Sequence, residues 1–152
     1  MPEYTIPDVT DRDVYITRSF DAPIDVVWRF WTEPELIAQW FGPQHVTVDA
    51  VTVLVEPHTG GAWNLEMRDD AGVYPIEATI LHLVEREYLE LRMTSQTSIG
   101  ELEDVILRVQ FHDHGDKTRI TLHQGPFDPE ARDLTAEGWT SSFTKLDAIL
   151  AR

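Results

Sequence analysis

From Val46 to His123 the chain is strand-rich, with apolar and polar residues alternating at a two-residue period in several runs; beyond Pro126 and Pro129 the period becomes helical and stays so to the end. A chain with both patterns in that order has to lay one long helix against a sheet. The clearest strand runs from Trp63 to Arg68, where Trp63, Leu65 and Met67 alternate with Asn64, Glu66 and Arg68. In the final segment Asp128 is suited to cap the helix, with Pro129 in its first turn. Leu134, Trp139, Phe143, Leu146 and Leu150 then lie close to one stripe. A helix of about twenty residues reaches about 30 Å, enough to cross a small sheet.

The remaining elements fall around this pair. Val14 to Phe20 reads as a strand. Asp21 can cap and Pro23 can open the helix that follows, whose Val26, Val27, Phe30 and Trp31 recur at helical spacing. Pro34 interrupts it, and Glu35 to Trp40 forms a second short helix closed by Gly42-Pro43. Val46 to Val55, nearly all β-branched or small, predicts a strand, as do Val73 to Val84 and the alternating runs around Leu91, Leu107 and Ile120. Segregated strands and helices predict an α+β fold. Its curved antiparallel sheet of about six or seven strands would have two short helices after the first strand and the long C-terminal helix covering the apolar face. No Pro/Gly/Ser-rich linker divides the 152 residues, so residues 13–152 are expected to form one domain, preceded by a loose segment, residues 1–12.

Composition narrows the chemistry. Without cysteine the chain has no disulfide, thiolate nucleophile or Cys-based zinc or iron–sulfur site. The 12 Lys and Arg against 27 Asp and Glu leave a net charge of −15, a field that opposes phosphate backbones and acidic membrane surfaces, so neither nucleic acid nor membrane is expected as a partner. The acids spread along the whole chain, as solubility requires, rather than forming one docking face. Residues 1–13 are polar and lack the basic start and apolar run of a secretory signal, and the cytoplasm is the expected compartment.

Candidate chemical groups are few. His112-Asp113-His114, with His123 nearby, could converge on a metal, but Asp113, Gly115 and Asp116 are hairpin-turn residues and favour a turn. His82 sits in an apolar strand and could face inward as a ligand-orienting or proton-moving group beside Tyr74. Glu66, Glu77, Glu101, Glu103 and Asp104 could supply an acid–base pair, although alternation puts Glu66 and Glu77 on the outer face. Ser141 and Ser142 lack a nucleophile elbow, and Gly60-Gly61 lacks the Lys-Ser/Thr of a phosphate loop. No catalytic residue, metal ligand or cofactor is assigned. The predicted inward face is rich in large groups, Trp63, Met67, Met93, Phe111, Trp139 and Phe143, which either fill a core or line a pocket.

One resemblance bears on that choice. Arg18-Ser19-Phe20-Asp21-Ala22-Pro23 followed by Val27-Trp28 and Trp31-Thr32 resembles the SRPBCC (START-like) superfamily. Within it, the chain looks like the family related to the C-terminal domain of the heat shock protein 90 ATPase activator. Gln39-Trp40-Phe41-Gly42-Pro43 is similar to the family's Trp-rich Gly-Pro turn, with Phe41 where a second Trp often stands. Gly60-Gly61 and Trp63 match its Pro-Gly-Gly turn, with His58-Thr59 in place of the Pro, and Glu137-Gly138-Trp139 to Phe143, Lys145 and Leu146 match its closing helix. The resemblance implies a helix-grip fold with a deep pocket between helix and sheet. It does not imply one activity; the aromatic and Met content of the predicted concave face points to an apolar small molecule as ligand, with Trp40, Trp63, Met67, Tyr74, His82, Met93, Trp139 and Phe143 as contacts. A cyclase- or hydrolase-type enzyme using the same cavity, and a chaperone-linked protein–protein module, remain alternatives, and a homodimer stays open.

Overall fold

Period-two alternation becomes one continuous antiparallel sheet in the computed structural model, which describes residues 4–97 and 100–151, with side chains outside 94–104. Glu101, Glu103 and Asp104 lie outside the described side chains. The strands are β1 (Val14–Phe20), β2 (Thr47–Val48), β3 (Leu54–Val55), β4 (Trp63–Asp69), β5 (Gly72–Val84), β6 (Tyr88–Thr97), β7 (Gly100–Asp113) and β8 (Thr118–Gly125). Their order across the sheet is β1-β8-β7-β6-β5-β4-β2, with β3 paired to β4. The sheet curls into a half-barrel, and β1 closes beside β8 with Val14 opposite Gln124 and Phe20 opposite Thr118. Inner positions are apolar on neighbouring strands in register: Ala78 faces Met93, which faces Val105, and Ile80 faces Leu91, which faces Leu107. All six are buried.

Between β1 and β2 lie α1 (Ile24–Thr32) and α2 (Pro34–Trp40). The residue at the α1 N-cap is Pro23, with no side-chain cap, so Asp21 does not play the capping part its position suggests. Pro34 starts α2 at its first turn, where a missing N–H costs nothing. The segment from Val46 to Val55, expected as one strand, is broken into β2, a 3₁₀ turn over Ala50–Thr52 and β3. Asp49 makes the break: its carboxylate accepts from the Val51 N–H at 3.1 Å, a local bond that competes with the sheet ladder.

The last element, α3 (Pro129–Leu150), runs 22 residues through the hollow of the sheet. Asp128 caps it, accepting from the Ala131 N–H at 2.8 Å. Its first turn is held by buried Ala131 and by the Arg132 guanidinium on the Asp11 carbonyl. Its last turns are held by buried Phe143 and Leu146 and by an Arg18–Asp147 ion pair. The result is the α+β helix-grip architecture. Among the described residues no helix is long and apolar enough to cross a membrane.

Aromatic side chains fill one end of the grip. Trp31 meets Trp40 edge-on with ring centroids 5.0 Å apart, Trp40 stacks on Phe143 at 5.9 Å, and Phe143 meets Phe20 at 5.4 Å. Phe41 joins Trp63 at 5.3 Å. Two indole N–H groups are satisfied on helix carbonyls, Trp40 on Phe30 at 2.7 Å and Trp63 on Trp31 at 3.0 Å. These bonds let Trp40 and Trp63 be buried with their donors met, whereas the buried Trp31 N–H has no partner among the described residues.

The N-terminal segment touches the outside of the same sheet. Tyr4 stacks on Tyr88 at 3.6 Å between centroids, and the Phe127 N–H donates to the Arg12 carbonyl. Asp13 Oδ2 accepts from His123 Nε2 at 2.9 Å. Burial works to raise the Asp13 carboxyl, but the bonds from His123 and Thr10 and the His123 charge outweigh it and hold the group below its ordinary value.

Candidate ligand cavity

Where the aromatic packing stops, a cavity of about 450 Å³ begins, within the size range of small-molecule sites. Its roof is the first half of α3. Leu134, Gly138 and Ser142 recur every fourth residue and so share one face, and two of the three are small. On the neighbouring stripe, the same helix carries Phe143 and Leu146 into the filled end. The floor is Ile76, Met93 and Val105 from adjacent strands.

The side wall is the turn after α2, from Phe41 to Val46. Gly42 adopts φ +91°, and a Cβ there would stand 2.8 Å from Val46 Cγ1, so only glycine fits this turn. Two residues of α3 tie the turn down. The Gln44 N–H donates to Ser141 Oγ at 2.7 Å, and Lys145 Nζ donates to the carbonyls of Pro43 at 3.2 Å and Val46 at 3.1 Å. Burial lowers the Lys145 pKa from its ordinary value.

Polar groups are sparse and placed at the two ends. At the mouth, Asp69 Oδ1 accepts from the N–H of Ala71 at 2.8 Å and of Gly72 at 3.1 Å, and from Tyr74 Oη at 3.2 Å. Loss of solvent around the ring, then the bond to Asp69 and its charge, push the Tyr74 phenol above its ordinary value, so it stays a neutral donor. His45 and Glu137 are exposed at the rim. At the inner end stands Gln124, 6% exposed, whose Oε1 accepts from Trp139 Nε1 at 2.7 Å. Among the described residues no Lys or Arg side chain lines the cavity.

The sequence-derived contacts divide between the two ends. Met67, Tyr74, Met93 and Trp139 line the cavity. Trp40, Trp63 and Phe143, each at most 1% exposed, belong to the aromatic packing instead. His82 does not face inward. The register slips between Ile80 and His82, which turns His82 to the outer face opposite Glu90, while Leu83 takes the inner position opposite Leu89. Sequence reasoning passed over Gln124 and Asp69. The signal for Gln124 was present, since it continues the Ile120–Leu122 face of β8.

The other candidates are engaged elsewhere. His112 contacts Thr121 Oγ1 at 3.3 Å and His123 contacts Asp13, while Gly115 takes the positive φ of a turn. Among the described residues no three His, Cys, Asp or Glu side chains gather as metal ligands. Ser141 accepts from the side-wall turn, and Ser142 donates to the Gly138 carbonyl at 2.9 Å.

The family described as "Activator of Hsp90 ATPase homolog 1-like protein" matches residues 21–151. Among solved structures, the AHSA1 protein from Silicibacter pomeroyi superposes with a TM-score of 0.79 at 22% identity, over 91% of this chain and 97% of that one. A protein from Chromobacterium violaceum gives 0.80 at 19% identity, over 94% and 99%. A solution structure from Staphylococcus epidermidis gives 0.75 at 26% identity, over 95% and 92%. These likenesses concern the fold. No curated protein matches the sequence.

Proposed function

The chain belongs to the activator of Hsp90 ATPase homolog 1-like family, and from that premise we propose that it binds an apolar small molecule in the cavity beneath the first half of α3. One observation carries this reading. Helix, turn and five strands line a half-open space of about 450 Å³ with largely apolar walls, bounded by well-packed aromatic groups at one end. Such walls exclude ordered water poorly matched to them and reward an apolar occupant. Met67, Tyr74, Met93 and Trp139 are the proposed contacts.

A panel of neutral apolar compounds in a thermal-shift titration tests the reading. A binder at a hundred times its dissociation constant adds about 2.7 kcal/mol, a rise of roughly 5–10 °C for a domain of this size. A panel that leaves the melting temperature unmoved overturns it.

The Asp69–Tyr74 pair favours a second reading, a cyclase- or hydrolase-type activity in which the neutral phenol turns its one hydrogen from Asp69 to a substrate oxygen and donates a hydrogen bond there. Tyr74→Phe separates the two. A ligand carrier keeps its affinity within about threefold, whereas an enzyme loses about 10²-fold or more in turnover.

A further inference from the structure

We propose that Gln124 selects the ligand's chemical class: an apolar body carrying one neutral hydrogen-bond acceptor, a carbonyl or ether oxygen, at its inner end. The inference rests on the cavity being a binding site and goes on to say what the site discriminates.

Gln124 lies in β8 on the floor side of the cavity and is 6% exposed. Its amide orientation is fixed, because the Trp139 indole can only donate and therefore faces Oε1, at 2.7 Å. The NH₂ group is thereby left on the other side. Among the described residues its one partner is the Met93 thioether sulfur at 3.4 Å, a weak acceptor. An amide NH₂ has two hydrogens, so the strongest unmet hydrogen-bonding capacity inside this apolar space is a donor. Donors left short in such surroundings favour any occupant that brings an acceptor.

Charge narrows the class further. Among the described residues no Lys or Arg lines the cavity, and the ionisable groups in its lining are Asp69, Tyr74 and Glu137 with His45 at the exposed rim. The chain as a whole carries −15. A carboxylate buried beside Gln124 would have no cation to pair with, while a neutral oxygen loses little on desolvation. The cavity should therefore reject the anion of a fatty or aryl acid and accept the matching ketone, aldehyde or ester.

Three probes share a phenylbutyl skeleton and differ only at that end: butylbenzene, benzylacetone and phenylbutyrate. Calorimetric titration of the wild-type chain should give benzylacetone the tightest binding, about three- to tenfold over butylbenzene, the worth of one neutral hydrogen bond. Phenylbutyrate should bind weakest. Gln124→Met should still bind butylbenzene and lose the preference for the ketone. If the methionine variant does not fold, Gln124→Leu, which likewise brings no donor, should bind butylbenzene and lose the preference for the ketone. Equal binding of hydrocarbon and ketone to the wild type overturns the Gln124 assignment and leaves the cavity reading standing, as does phenylbutyrate binding tightest. Failure of all three probes to bind, in a chain that also ignores the wider apolar panel, overturns both.

Discussion

The two ends of the grip are made from the same helix and the same sheet, yet one is filled and the other hollow. At the filled end α3 presents Phe143 and Leu146 to Trp31, Trp40 and Phe20, whose rings meet in edge-on and stacked pairs. At the hollow end it presents Gly138 and Ser142 to Ile76, Met93 and Val105. Side-chain size on two neighbouring stripes of one helix decides where the core is filled and where space is left. Trp139 stands at the boundary, stacked on Trp31 at 5.7 Å and on Phe143 at 5.6 Å while bonded to Gln124 across the cavity.

If that division is right, opposite volume changes should have opposite effects at the two ends. Trp63→Ala removes a fully buried indole and orphans the Trp31 carbonyl, and should cost about 3–5 kcal/mol, read as a denaturant midpoint shift at constant slope. A loss under about 1 kcal/mol would erase the distinction. Gly138→Leu adds volume at the hollow end. A Cβ there meets nothing closer than Pro43 Cγ at 3.7 Å, and leaving glycine in a helix interior favours the fold. Stability should rise by about 0.5–1 kcal/mol while affinity for a cavity ligand falls tenfold or more, about 1.4 kcal/mol. A destabilised variant with intact ligand binding would reverse the assignment of the two ends.

The third expected effect is smaller and should not distinguish the ends at all. The Asp13–His123 contact backs β8 from outside, next to Gln124 in sequence. Because the folded carboxyl is held below its ordinary value, its contribution is complete above about pH 4 and is lost as pH falls through the lower folded value. Asp13→Asn should therefore be less stable than wild type by about 1 kcal/mol at neutral pH, after solvent screening. The gap should close on acidification. Melting temperatures of both chains across the acid range check this, and a gap that persists at the most acid pH contradicts it.

The sheet and α3 were legible because their signals are local and periodic. Trp63–Arg68 and Asp128–Pro129 need no tertiary information to be read. The segment from Val46 to Val55 misled because its β-branched composition masks one Asp49 side chain that bonds its own backbone. The site was less readable for a related reason. Alternation says which residues point inward, but Trp63 and Met67 both do, and only the neighbours supplied by α2 and α3 make one core and the other wall. His82 shows the limit of periodicity itself, since one bulge reverses every residue after it.

The anchoring of α3 also bears on how a guest gets in. Near its start the helix is fastened by the Asp128 cap, buried Ala131 and the Arg132–Asp11 contact, and near its end by Phe143, Leu146 and the Arg18–Asp147 pair. Mechanically it is a beam clamped at both supports, stiff against lifting in mid-span. The wall beside it, Gly42 to Val46, hangs from that beam by three hydrogen bonds, from Gln44 to Ser141 and from Lys145 to Pro43 and Val46. On the proposed ligand-binding reading, a guest would enter past this side panel, whose release needs only those three bonds to open while the roof stays fastened at both ends.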